Sequence, residues 1–190
     1  EPLARHLPDN DGRLAAAIRG SPVVLGAAGL PADAEGGGGA IAPAMLRQFG
    51  ADPRPFVRRY AAVLTSLPQL GAAARGQALL NGEPERGVYR SVPTLAAVGD
   101  TLVPGLAVET LRVVGDTPLL VDSDARGLRR VGVAGIEIPV APDGAWWLHF
   151  SPWTERPAVS AADVLRGTID AELLAGRIVL IGYTALGLQD

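Results

Sequence analysis

The stretch Arg177-Ile178-Val179-Leu180-Ile181-Gly182 constrains the fold more than any other in the chain. After its first residue it is apolar at successive positions and ends in glycine, with no polar–apolar alternation. A strand of that kind is buried on both faces, which marks a central strand of a sheet covered by helices. Pro22-Val23-Val24-Leu25-Gly26 has the same form and runs into Ala27-Ala28-Gly29. Together the two predict an α/β fold: a mixed β-sheet with helices packed on it and central apolar strands at Pro22–Gly26 and Arg177–Gly182. In open α/β sheets ligands sit outside the carboxyl ends of such strands. The loops after Gly26 and Gly182 are therefore either a site or tight turns.

The elements that would supply neighbours and cover follow in order. Asp9 or Asp11 can N-cap a helix over Arg13–Arg19, with Leu14 and Ile18 on one face. Gly20 ends it and the first strand follows, a short helix-to-strand connection typical of α/β folds. Residues 29–55 are rich in Gly, Ala and Pro. Within them Gly36-Gly37-Gly38-Gly39 lacks the Lys and Ser/Thr of a phosphate loop and reads as a flexible connection. Phe56, Tyr60, Val63, Leu64 and Leu67 form a helical stripe interrupted by Pro68. Short strands are expected at Gln77–Asn81 and over Val88–Val98, the latter broken by Pro93. Pro104 opens a helix over Gly105–Val114.

An antiparallel, β-rich segment spans 119–150, with strands at Leu119–Asp122, Leu128–Val133, Ile136–Val140 and Ala145–Phe150. Along the last of these, Trp146, Leu148 and Phe150 share a core-facing side, and Trp147 and His149 share the other. That second side packs under a helix or loop, or it contacts a ligand. Ser160-Ala161-Ala162-Asp163 is a capping-box variant that starts a helix. A short helical turn at 171–174 ends at Gly176, and the apolar run follows directly.

Composition removes several function classes. The chain of 190 residues is long enough for one domain with a real core. All 17 basic residues are Arg, and with 20 acidic residues the net charge is −3, which argues against nucleic-acid binding. Without Lys there is no P-loop lysine and no Schiff-base lysine. Without Cys there is no disulfide and no thiolate metal site, and two His are too few for a His-rich cluster. No apolar run is long enough to span a membrane. Glu1-Pro2-Leu3 is not a signal peptide and reads as the middle of a larger protein.

No nucleophile–base–acid set stands out, and no Gly-x-Ser-x-Gly elbow occurs. Gly182-Tyr183-Thr184-Ala185-Leu186-Gly187 has neither a P-loop nor a dinucleotide spacing. Asp122 and Asp124 could join a metal site, but with Ser123 between them and Arg126 beyond they read first as a solvated turn. No catalytic residue, metal or cofactor is expected. The chain reads as a sensor, binding or structural domain before it reads as an enzyme.

Four stretches together resemble the type-two CHASE domain, an extracytoplasmic sensory module of bacterial cyclases, histidine kinases and Ser/Thr kinases. The first is Asp11-Gly12-Arg13-Leu14-Ala15-Ala16-Ala17-Ile18 with Pro22-Val23-Val24-Leu25-Gly26. The second is Gly87-Val88-Tyr89-Arg90-Ser91-Val92-Pro93 with Val103-Pro104-Gly105-Leu106-Ala107 and Glu109. The third is Ile138-Pro139, Asp143-Gly144 and Leu148-His149-Phe150. The fourth and most specific runs from Val159-Ser160-Ala161-Ala162-Asp163-Val164-Leu165 through Leu174-Ala175-Gly176 and the apolar run to Asp190. Three departures accompany it. The family's N-terminal strand with its Asp and Trp-Pro motif has no counterpart, which implies a sheet short of at least one strand. Arg86-Gly87 stands where the family has Asp-Gly. Tyr183 stands where it has Thr.

The resemblance implies one sensory domain over 1–190, on the periplasmic or extracellular side of the cell membrane, held there by helices outside this chain. It implies a signal-input role, with an adenylate/guanylate cyclase as the output that residues 139–190 match best. The alternative is a ligand-free dimerisation or structural module of a membrane histidine or Ser/Thr kinase. The partner would be a small-molecule or protein ligand, with a possible homodimer. The expected ligand contacts at the strand ends are Arg90, Trp147, His149 and Thr184.

Overall fold

The computed structural model describes residues 8–32, 38–82, 84–152 and 158–183. The chain divides into two compact units, Glu1–Leu148 and His149–Asp190. The fold is mixed α/β, as expected, with several sheets, mostly strands, and four α-helices among the described residues.

The first unit begins with α1 (Asn10–Arg19), and Asp9 caps it by accepting from the Gly12 N–H at 2.8 Å. Ala15 and Ile18 face inward, whereas Leu14 is half-exposed. β1 (Val24–Leu30) follows, starting two residues and ending four residues beyond the Pro22–Gly26 of the sequence pattern. β2 (Leu46–Gly50) lies inside the Gly/Ala/Pro-rich stretch 29–55, where the sequence pattern marks no strand.

Where the sequence predicts a helical stripe over Phe56–Leu70, the chain instead forms β3 (Arg58–Tyr60), β4 (Ala62–Leu64) and a short α2 (Pro68–Ala73). Tyr60 and Val63 are buried there in ladders rather than on a helix face. Sheet pairing overrides a weak helical period in so short a window. β5 (Gly76–Leu79), β6 (Pro84–Glu85), β7 (Val88–Tyr89), β8 (Ser91–Pro93), β9 (Leu95–Val98) and β10 (Thr101–Pro104) precede α3 (Leu106–Gly115). Pro104 closes β10 rather than opening the helix, and Gly105 is the N-cap position.

β11 (Leu119–Asp124), β12 (Gly127–Val133), β13 (Ile136–Ile138) and β14 (Ala145–Trp147) realise the β-rich segment. β11, β12 and β13 are consecutive antiparallel neighbours, and β2 joins β11 in parallel. The β12–β13 connection is Ala134-Gly135, with φ of 51° and 77°. Positive φ at both positions is what a two-residue hairpin matching the sheet twist requires.

Four smaller sheets complete the unit's frame, one of them the β6–β7 pair. β1 lies between β4 and β5, antiparallel to the first and parallel to the second. β9 lies between β3 and β10. β8 pairs with β14, placing Trp147 opposite Ser91. β1, as expected, and β9 are each the middle strand of a three-stranded sheet, and β9 is the more fully buried. Leu95 and Ala97 enter the larger core with Val108, Leu119, Val121, Leu128, Val131, Val133 and Ile138. Ala96, on the opposite face, enters a second core with Ala27, Tyr60, Val63, Leu79 and Val103.

In the second unit Ser160 caps α4 (Ala161–Arg166) by accepting from the Ala162 N–H. Asp163 pairs with Arg166 at 2.9 Å, so both residues of the capping-box variant serve the helix. A 3-10 turn, Ala171–Leu173, follows. The expectation of a central strand at Arg177–Gly182 is not met. No strand forms there, and Leu180 and Ile181 are 75% and 94% exposed. Apolar side chains tolerate burial on two faces, but a strand exists only where a neighbouring backbone takes its N–H and C=O groups. This segment has no such neighbour among the described residues.

Candidate functional site

The most polar part of the first unit's interior lies between α3 and the start of β5. α3 buries Val108, Glu109 and Arg112 on one face. Two charged residues on the inner face of an otherwise apolar helix must pair to be tolerated. Arg112 Nε donates to Glu109 Oε2 and Nη2 to Oε1, both at 2.8 Å. The two side chains are 7% and 2% exposed. Nη2 also donates to the Arg75 carbonyl at 3.0 Å, tying α3 to the residue before β5. Gly76 makes room for this pair, because a Cβ there would meet the Glu109 carboxylate. Glycine at this position answers a steric need.

A guanidinium has five N–H donors. Three of Arg112's are accounted for by Glu109 and Arg75. The two on Nη1 have no acceptor among the described residues, and no buried side-chain nitrogen or oxygen there lacks a partner. Nη1 is therefore open to solvent. Arg112 lines a cavity of about 320 Å³ together with Arg75, Gln77, Glu109, Asp116 and an apolar shelf that includes Met45.

The Glu109 hydrogen bonds push the Arg112 pKa above its usual value; burial opposes the shift, and the charges of Glu109 and Asp116 reinforce it. The guanidinium is a fixed cation. Asp116 ends α3 in the left-handed conformation, with φ 46°. Its carboxylate makes no hydrogen bond or ion pair among the described residues, and neither does the exposed Arg75 side chain. The cavity thus carries one satisfied ion pair and two opposite charges with no hydrogen bond or ion pair among the described residues, Asp116 acting on Arg112 through its charge alone.

The residues expected from sequence to contact a ligand lie elsewhere. Arg90 is exposed between β7 and β8 and pairs with Glu85 at 3.6 Å. Its carbonyl accepts the Leu148 N–H at 2.8 Å, and Trp147 lies opposite Ser91, so Arg90 and Trp147 occupy neighbouring positions. Trp147 is 66% exposed and is not packed under a helix or loop. On the other side of β14, Trp146 packs against the larger core, whereas Phe150 is exposed. His149 is exposed and belongs to the second unit. Thr184 lies outside the described residues.

Asp122 pairs with Arg130, and Asp124 accepts the Arg126 N–H at 2.7 Å, which makes them turn and ladder residues. No group of three or more possible metal ligands occurs among the described residues. Sequence reasoning missed the Glu109–Arg112 pair. Its signal was there: two charges three apart in a helix whose core face was ambiguous.

A family model described as the CHASE2 domain matches residues 2–190. The chain belongs to the CHASE2 family. CHASE2 domains are extracytoplasmic sensory modules of signalling receptors, and the domain is not itself catalytic. No curated protein and no solved structure matches the chain. No described helix of this CHASE2 domain is long and apolar enough to cross a membrane.

Proposed function

We propose that this CHASE2 domain is the signal-input module of a membrane receptor whose output is a cytoplasmic adenylate/guanylate cyclase. The match over residues 2–190 carries the sensory part of this reading. The likeness of residues 139–190 to cyclase-linked members motivates the cyclase part. Membrane helices outside the chain would hold the domain on the outer face. A ligand can drive the output only if it binds two arrangements of the domain unequally. The solvated donors of buried Arg112 support the cavity beneath α3 as the ligand-facing surface. Arg90 and Trp147 form a second candidate face.

The test is cyclic-nucleotide formation by the full-length receptor in membranes, with and without this domain. Altered output on deletion is the expected result. A receptor whose cytoplasmic part phosphorylates His, Ser or Thr and forms no cyclic nucleotide overturns the cyclase assignment.

A second reading is a ligand-free dimerisation module in a membrane kinase. The outer face of the β13–β12–β11–β2 sheet favours it, because Phe49, Leu120 and Ile136 are exposed there around a concavity of about 720 Å³. Sedimentation discriminates: a concentration-dependent dimer without ligand, lost in Leu120→Asp, supports this reading.

A further inference from the structure

The cavity beneath α3 has a charge arrangement that selects its occupant. It presents two cations, Arg75 and Arg112, and two anions, Glu109 and Asp116. Glu109 and Arg112 satisfy one another, with Nη1 of Arg112 to spare. Arg75 and Asp116 remain, opposite in sign and without a hydrogen bond or ion pair among the described residues. A phosphate or dicarboxylate would gain Arg75 and Nη1 but face Glu109 and Asp116. A metal cation or polyamine would meet the reverse. A ligand bearing one charge of each sign satisfies both ends. The wall that includes Met45, Ala74 and Val113 adds an apolar surface beside them. The volume, about 320 Å³, lies at the small end of ligand pockets, which run from roughly 300 to 1,000 Å³.

We infer that this cavity binds a small zwitterion, an α-amino acid with an apolar side chain, its carboxylate on Arg112 Nη1 and Arg75 and its ammonium on Asp116. The inference rests on the reading of the domain as a small-molecule sensor and deepens it. Glu109 is a positioning residue. By holding Nε and Nη2 it aims the remaining edge of a planar guanidinium at the cavity, and a guanidinium fixed in this way loses little freedom when it takes a carboxylate. The apolar side chain of the ligand would lie on the Met45–Val113 wall.

The test is calorimetric titration of the chain with leucine, valine and methionine, set against N-acetyl-leucine and leucinamide, which each lack one charge. Leucine should bind at least about tenfold more tightly than either derivative, a difference of about 1.4 kcal/mol. Asp116→Asn should weaken leucine at least about tenfold while leaving N-acetyl-leucine unchanged. Asn suits the left-handed backbone at 116, so the fold is kept. Arg75→Gln should give the mirror result with leucinamide. Arg126→Ala, on the exposed β11–β12 turn, should change none of these affinities.

Equal binding of leucine and both derivatives overturns the inference, as does indifference to Asp116→Asn. Absence of amino-acid binding also overturns it. If another compound class then alters the full receptor's output, the sensor reading stands while the zwitterion falls. If deleting the domain leaves the output unchanged, the sensor reading itself falls.

Discussion

β9 and the segment Arg177–Gly182 carry nearly the same sequence pattern and have opposite fates. Leu95-Ala96-Ala97-Val98 is apolar without alternation, and its first three residues are at most 1% exposed. Ile178-Val179-Leu180-Ile181 is more hydrophobic and is exposed throughout. The difference lies in the backbone. β9 has a ladder on each side, Ala96 facing Arg58 of β3 and Val103 of β10. Its side chains then fall alternately into two cores. Arg177–Gly182 has no ladder among the described residues. An apolar run states which environment a strand tolerates, and its neighbours decide whether that environment exists.

The largest test of this contrast is Leu95→Ala. The side chain is fully buried, so its loss removes transfer energy and leaves a cavity. The expected cost is about 2–5 kcal/mol in urea unfolding. A cost under about 1 kcal/mol would mean that β9 is not a central strand.

Ala96→Leu probes the other face of the same strand and should cost less. Ala96 sits against Tyr60, Val63 and Val103 in the second core, with no space for three more carbons. Overpacking of this kind costs about 1–3 kcal/mol. A neutral result would show that the second core is loose, so that β9 is buried on one face only.

Much of this was legible in the sequence, for identifiable reasons. α1, α3, α4 and the strands from β11 to β13 carry local signals: the Asp9 and Ser160 caps, the apolar stretches, and the Ala134-Gly135 turn. β2, β3 and β4 were not legible, because each is three to five residues long and exists through a partner distant in the chain. The cavity was hidden for the same reason. Arg75 and Arg112 are 37 positions apart, and only the return of α3 onto the start of β5 brings them together. Arg90 and Trp147 lie at neighbouring positions because β8 pairs with β14, a pairing that neither residue's local sequence signals.

The turn that closes β9 onto β10 supplies a pH test of smaller effect. Arg59 donates to the Gly99 carbonyl at 3.1 Å and Arg54 to the Asp100 carbonyl at 3.5 Å. Arg54 also donates to Asp52 through Nε at 2.9 Å and through its backbone N–H. These bonds, the side-chain ones first, hold the Asp52 pKa below its ordinary value of 3.8. A depressed carboxylate contributes stability above the unfolded value and loses it as pH falls through the folded one. Carboxyl NMR should place the Asp52 midpoint below the ordinary value, and Arg54→Ala, which keeps the backbone N–H, should return it part of the way. An unmoved midpoint would show that Arg54 does not hold Asp52 at this turn.

The smallest expected effect is the most informative about Arg177–Gly182. Ile181 is 94% exposed, so Ile181→Ala should change unfolding stability by no more than about 0.5 kcal/mol. Amide exchange gives the backbone counterpart. The Val179, Leu180 and Ile181 amides should exchange near the rate of an unstructured chain. The β9 amides should open only with global unfolding. A cost of about 2 kcal/mol or more for Ile181→Ala would mean that this segment is covered and paired in solution. If that cost and the amide protection both grew with protein concentration, the partner strand would come from a second copy of the chain. If they did not, the contrast with β9 would fail outright, and one rule of pairing and burial would describe both segments.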